Sequence, residues 1–260
     1  MNKQPYMWRL IKYGVLTVVV LIVLFVGYEV VTFPRVSRLR DENMEVTALM
    51  EQRAEEAAAE GKEAKRVQQW VALNRISPNL QRAVLAGEDT NFVKHNGFDY
   101  EAIQRAWDEA RRDAEKEAKQ EGDFDPNDWI PPMPSFKRGA STVSQQLAKN
   151  LYLSTDRSFL RKGREALITF VMERELSKQR ILEIYLNVIE WGDGIYGAEA
   201  AARNYFGKSA ANLSPSEAAY LSAMIPNPRT VFNPKVNPRR VARRQRVIAR
   251  GMRFVQIPGA

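Results

Sequence analysis

Between residues 14 and 33 the only charged side chain is Glu29, set in an otherwise apolar run. A helix of about twenty such residues, rising 1.5 Å per residue, covers about 30 Å of hydrocarbon, so the run reads as a membrane span. A cleaved signal has a shorter apolar core and ends in small residues. Here Val31, Thr32, Phe33, Pro34 and Arg35 come next, and an uncleaved anchor is expected. Lys3, Arg9 and Lys12 precede the run and Arg35, Arg38 and Arg40 come after it, so the positive-inside rule alone does not orient it. The twelve residues ahead of the span are too few to act, and the working part of the chain is expected after it.

The formal charge is +8, and its location says more than its size. Residues 229–253 hold nine basic side chains and no acid, enough to account for the whole excess. Beside a membrane span, such a stretch fits anionic headgroups or a pyrophosphate better than nucleic acid. On a helix, Arg239, Arg243, Arg246 and Arg250 share one face, while Val241, Ile248 and Met252 lie on another. Packing on the domain with solvated arginines and docking to anionic lipid both stay open. The chain has no cysteine, which excludes thiolate metal sites and cysteine nucleophiles and suits an oxidising compartment.

Residues 38–71, rich in Ala, Glu, Lys and Arg, read as a solvated spacer helix. Ser77 and Pro78 open a helix that ends near Glu88, with Ser as N-cap and Pro in the first turn. Asp99 caps another over 100–120, followed by a proline-broken stretch with the aromatics Phe124, Trp129 and Phe136. Thr142 and Gln145 have capping-box spacing for a helix through Asn150. Asp156 precedes a helical pattern over 159–175, Ser177 starts the next, and Ser214 to Glu217 form a second capping box. There is little period-2 alternation and no strong hairpin signal, so the soluble part is expected to be mainly α.

Three polar clusters interrupt this helical frame. The first sets Glu88 and Asp89 at a helix end, followed by His95, the only histidine. The second runs from Gly139 to Asn150 with Ser141, Thr142, Gln146 and Lys149, and the third is Arg161, Lys162 and Glu165. Carboxylates framed by hydroxyls, amides and cations are what glycosyl transfer from a phosphorylated donor requires: one acid handles a proton and the cations hold the departing phosphate. Glu88 is the candidate base, because a helix C-terminus and the adjacent Asp89 both resist its ionisation. Asp89 is expected to orient Glu88 or to bind a backbone donor. Ser141 and Thr142 offer hydroxyls and helix N-terminal amides as a phosphate cradle. Arg157, Arg161 and Glu165 lie at i,i+4 spacing on one face, a solvated salt bridge or a pyrophosphate site. A lone histidine without thiols builds no zinc site of the usual kind, and no glycine-rich nucleotide loop appears.

The ordered motifs E-D-x-x-F-x-x-H-x-G-F-D, G-A-S-T-x-S-Q-Q-x-x-K-N, R-K-x-x-E and I-L-E-x-Y-L-N-x-x-E-x-G-x-G-x-Y-G together resemble the peptidoglycan glycosyltransferases of family 51. The resemblance runs from about Ile76 to Pro228. Ala140, where bifunctional members usually carry a second glycine, suits the monofunctional branch, and the stretch after Pro228 is short for a transpeptidase domain. The resemblance implies a lysozyme-like helical domain over 76–232, with a flap insertion around 105–137. Flanking it are a head over 1–12, the span over 13–33, a spacer over 34–75 and a basic tail over 233–260.

It also implies a role for each cluster. Glu88 is the base and Glu165 the second acid. Gln146 and Lys149 contact substrate, and Lys149, Arg161 and Lys162 meet the diphosphate, with Asp89, Ser141, Thr142 and Asn150 completing the substrate site. His95 becomes structural or substrate-orienting, and Tyr185, Asn187, Glu190 and the glycines 192–197 mostly scaffold. No cofactor is required, and a divalent cation, magnesium or manganese, stays compatible with Glu165. The implied partners are lipid II, an undecaprenyl-pyrophosphate-linked glycan and membrane lipids. Cell-wall synthesis and division proteins are compatible partners. The implied place is the bacterial inner membrane, single-pass, with the catalytic domain periplasmic. A lysozyme-type hydrolase and a non-catalytic membrane scaffold are the competing readings.

Overall fold

The computed structural model describes residues 4–121, 141–153 and 158–259, in two units, Met1–Arg35 and Val36–Ala260. The first unit holds one helix, α1 (Gln4–Val31), with valines, leucines and isoleucines exposed on every side. A helix that is apolar all round suits lipid, and this one is long and apolar enough to cross a membrane.

The second unit is mainly helical, as expected. Its helices are α2 (Ala48–Ala59), α3 (Pro78–Glu88), α4 (Tyr100–Glu121), α5 (Val143–Tyr152), α6 (Phe159–Glu175), α7 (Lys178–Val188), α8 (Ala198–Phe206), α9 (Pro215–Met224) and α10 (Pro238–Gly251). Local chemistry sets most of the starts. Ser77 accepts from the Asn79 amide ahead of α3, and Ser177 from the Arg180 amide ahead of α7. Thr142 with Gln145 and Ser214 with Glu217 form complete capping boxes. The cap of α6 is Ser158; Asp156, expected just ahead of this helix, and Arg157 lie outside the described residues. So do residues 122–140, and with them Phe124, Trp129, Phe136 and most of the expected insertion.

One expectation changes at the spacer. It is not one long helix. A 3₁₀ turn at Val36–Arg40 buries Val36 and Leu39 against α6, and Arg180 clamps the following backbone through Leu39 O at 2.7 Å and Glu42 O at 2.8 Å. Helix α2 then runs only from its Thr47 cap to Ala59, packs on α5, and gives way to a turn at Gly61 with φ 69°. Packing on the domain, one of the two readings left open for the basic stretch after residue 232, is what the structure shows. Helix α10 buries Val241 and Ile248 against α9 and α3, while Arg239, Arg243, Arg246 and Arg250 stay exposed.

A small sheet also forms, in the order β1 (Val67–Gln68), β3 (Ile195–Tyr196), β2 (Glu190–Gly192). Asp193 and Gly194 make the β2–β3 hairpin, with Gly194 at φ 71°, where a Cβ would come within 2.5 Å of Lys65 O. The expectation of no strong hairpin signal is corrected here, since an Asp-Gly pair is one. Asn187 on α7 holds the incoming strand by accepting from Val71 N and donating to Val71 O, both at 2.9 Å. Leu80 and Leu85 on α3, Leu147 on α5 and Ile168 on α6 are fully buried, each contributing about 1.5–3 kcal/mol of apolar transfer. They fix the three helix ends and faces that carry the polar clusters.

Candidate active site

Glu88 is the last residue of α3, because Asp89 leaves the helix at φ −162°, ψ 80°. Its side chain is only 8% exposed, and both oxygens are held. Arg244 on α10 donates through Nη2 to Oε1 at 2.7 Å, and Gln146 on α5 donates through Nε2 to Oε2 at 2.9 Å. Gln146 is itself fixed by the buried Tyr185 hydroxyl, which donates to its Oε1 at 2.8 Å. Burial pushes the Glu88 carboxyl above its ordinary range, Arg244 and Gln146 pull it back, and Asp89 adds a smaller upward push. The dominant cause is thus desolvation, ahead of the neighbouring acid invoked from sequence.

Asp89 is committed to the fold. Its carboxylate accepts from the Val143 amide at 3.0 Å and from His95 Nε2 at 2.9 Å, while His95 Nδ1 accepts from the Gly97 amide at 3.1 Å. Because Nδ1 accepts, the proton sits on Nε2 and points at Asp89. The end of α3, the His95 loop and the start of α5 are thereby braced together. Asp89 does bind a backbone donor, one of the two roles expected of it.

Of the phosphate cradle expected at Ser141 and Thr142, the Thr142 groups are committed to the fold. The Thr142 hydroxyl donates to Gly97 O at 2.7 Å and accepts from Gln145 N at 3.2 Å, and the Val143 amide goes to Asp89. A capping box uses the donors that a phosphate would need. Ser141 is half-buried, and its carbonyl lies 3.5 Å from Gln146 Nε2.

Lys149 and Asn150 come three and four residues after Gln146 on α5, so the three share a face. Burial lowers the Lys149 ammonium below its ordinary value. Arg161 and Lys162 lower it further, while Glu165 and Glu88 act the other way. One helix therefore carries the group that holds Glu88 and, a turn later, a lysine in the field of the third cluster. On α6, Glu165 is 2% exposed and takes Arg161 Nη1 on Oε2 at 3.0 Å and Lys162 Nζ on Oε1. Arg161 Nε is buried without an acceptor, a costly orphan that an anion could satisfy. Lys149, Arg161 and Lys162 against one carboxylate leave an excess of positive charge.

Sequence reasoning missed Arg244 as a neighbour of Glu88. The signal was present: Val241, Arg244 and Ile248 stand at i, i+3 and i+7, which places an arginine inside the apolar stripe. Tyr185, expected to be scaffold, is the far anchor of the Gln146 amide. Asn187 is tied into the fold as expected. Glu190 pairs with Arg53 at 3.0 Å, and its carboxyl is raised by burial against that pull. Among the described residues no group of three or more His, Asp or Glu side chains could hold a metal ion. Each oxygen of Glu165 accepts from one cation.

A buried acid gripped by Gln146, with Lys149 one turn along the same helix in the field of further cations, is the equipment of an enzyme that transfers a glycosyl group. The transglycosylase family model matches residues 54–122 and 133–253. The chain belongs to that family, as its four motifs indicate. A protein of Laribacter hongkongensis is 41% identical over 249 residues, covering 96% of this chain and 100% of its own. One of Thiobacillus denitrificans is 44% identical, covering 97% and 98%, and one of Methylobacillus flagellatus is 42% identical, covering 99% and 100%. Each of the three is named a biosynthetic peptidoglycan transglycosylase. The matched region begins in α2 and ends after α10, beyond both ends of the 76–232 domain expected from the motifs.

Proposed function

We propose that this chain is a peptidoglycan glycosyltransferase that polymerises lipid II, with Glu88 as general base and Lys149, Arg161 and Lys162 as the diphosphate site. The observation that carries the reading is α5 itself. Its Gln146 grips the Glu88 carboxylate, and its Lys149, a turn on, lies in the field of Arg161, Lys162 and Glu165.

The chemistry rests on that arrangement. Each Glu88 oxygen gives one lone pair to a protein donor and keeps another for the acceptor 4-hydroxyl. As that hydroxyl attacks C1 of the donor sugar, its proton passes to Glu88 and the bond from C1 to the pyrophosphate oxygen breaks. Attack opposite the leaving group inverts the anomeric centre from α to β. Charge builds on the departing pyrophosphate, and the cations meet it. A phosphate is already a good leaving group, so no strong general acid is needed. Any divalent cation would arrive with the diphosphate, beside Glu165, since the protein side chains are already paired.

The anchor α1 would hold the enzyme in the bacterial inner membrane with Val36–Ala260 on the periplasmic side, where a lipid-linked donor is presented. Incubation of the full chain with lipid II in detergent, read by gel, tests the reading. Long glycan chains are expected. Cleavage of preformed peptidoglycan without polymer would make it a lysozyme-type hydrolase, and neither activity would make it a scaffold.

A further inference from the structure

Resting on the reading of Glu88 as the base, we propose that Arg244 is a positioning residue. From α10 it holds the Glu88 carboxylate aimed and ionised, and Gly87 is the close-approach site that lets it do so. Nη2 of Arg244 donates to Gly87 O at 3.0 Å and to Glu88 Oε1 at 2.7 Å. A single nitrogen thus satisfies a last-turn carbonyl of α3, which has no intrahelical partner, and grips the side chain of the next residue.

The surroundings make the contact specific. Arg244 stands between the buried Val241 and Ile248, its guanidinium 5.4 Å from the Phe232 ring, with Arg240 at 5.9 Å from the same ring. Its Nε is buried with no acceptor. Surface arginines avoid such an arrangement, because an unmet buried donor costs about 1–3 kcal/mol. The contact with the Phe232 ring uses the planar guanidinium in a way an ammonium does not copy. Gly87 completes the fit: a Cβ there would lie 2.8 Å from Ser222 Oγ and 3.1 Å from Ile248 Cδ1, so α10 and α9 approach the end of α3 more closely than alanine allows.

Polar and charged groups face the end of α3 from each element around it. From α3 comes Asp89, itself bonded to His95; from α5, Gln146 and Lys149; from α7, Tyr185; from α10, Arg244; and from α9 the uncharged Ser222. Arg244 is the nearest cation, and it opposes burial. Remove it and the acid takes up a proton at higher pH, leaving less base at a given pH.

The test is kcat/KM for polymerisation against pH, with the full chain in detergent, for wild type, Arg244→Gln, Arg244→Lys and Gly87→Ala. For Arg244→Gln the acidic limb should move up by about 1–3 pH units, the range for losing a close opposite charge, with activity partly recovered in alkali. Arg244→Lys, which keeps the charge but whose ammonium stops one bond short of the Nη2 position, should fall between. Gly87→Ala, which removes no charge, should shift the limb the same way by displacing α10. If Arg244→Gln does not fold, the lysine and alanine variants carry the test. Loss by one factor at all pH values with the limb unmoved would overturn the inference. Should Glu88→Gln stay active, the reading of the base fails instead, and the two failures are told apart.

Discussion

Glu88→Gln should lose polymerisation by about 10²–10⁴-fold, the usual cost of removing a general base. The variant should still fold, because the hydrogen-bond chain around it can reverse. The new carboxamide oxygen accepts from Arg244, its amide donates to a turned Gln146, and Gln146 then donates to Tyr185, whose hydroxyl can accept. Arg244 is left without its counter-charge but is 27% exposed, so water screens it and the melting temperature should fall little. Retention of more than about a tenth of wild-type activity would remove Glu88 from the base role.

Lys149→Ala and Arg161→Ala carry the second large effect. Each removes a cation from the place where leaving-group charge develops, and loss of one such donor costs about 10²–10³-fold in kcat. The two should differ in side effects. Arg161→Ala strips one of the two partners from the buried Glu165, whereas Lys149→Ala removes an ammonium that burial already disfavours. Arg161→Ala should therefore also lower the melting temperature. Kinetics on lipid II at saturating and sub-saturating concentration separate kcat from KM, and near-wild-type kcat in both variants would place the diphosphate elsewhere.

Much of this was legible in the sequence, and the exceptions have physical causes. Caps such as Ser77, Thr142, Ser177 and Ser214 act within a few residues, so the helix starts could be read locally. The motifs likewise marked Glu88, Gln146, Lys149, Arg161 and Glu165. How each polar group divides itself between fold and site could not be read. Thr142 and Asp89 look like substrate ligands by type, yet their oxygens brace the start of α5 and the His95 loop. Composition misled in the spacer. Residues 38–71 have helix-forming side chains, but Thr47 and Gly61 bound α2 and buried Leu39 and Met50 tie the segment to the domain. For α10 the sequence left packing and lipid docking both open, and the Val241, Arg244, Ile248 stripe points inward, as packing requires. Arg244 is 156 residues from Glu88 in the chain, and only tertiary packing brings them together.

The most direct test counts polyprenyl pyrophosphate released against glycosidic bonds formed from lipid II, with the anomeric configuration of the new bond read by NMR. Base-assisted displacement at C1, with cations holding the leaving group, predicts one pyrophosphate per new bond and β linkages throughout. Pyrophosphate release in excess of bonds, or α linkages in the product, would contradict it.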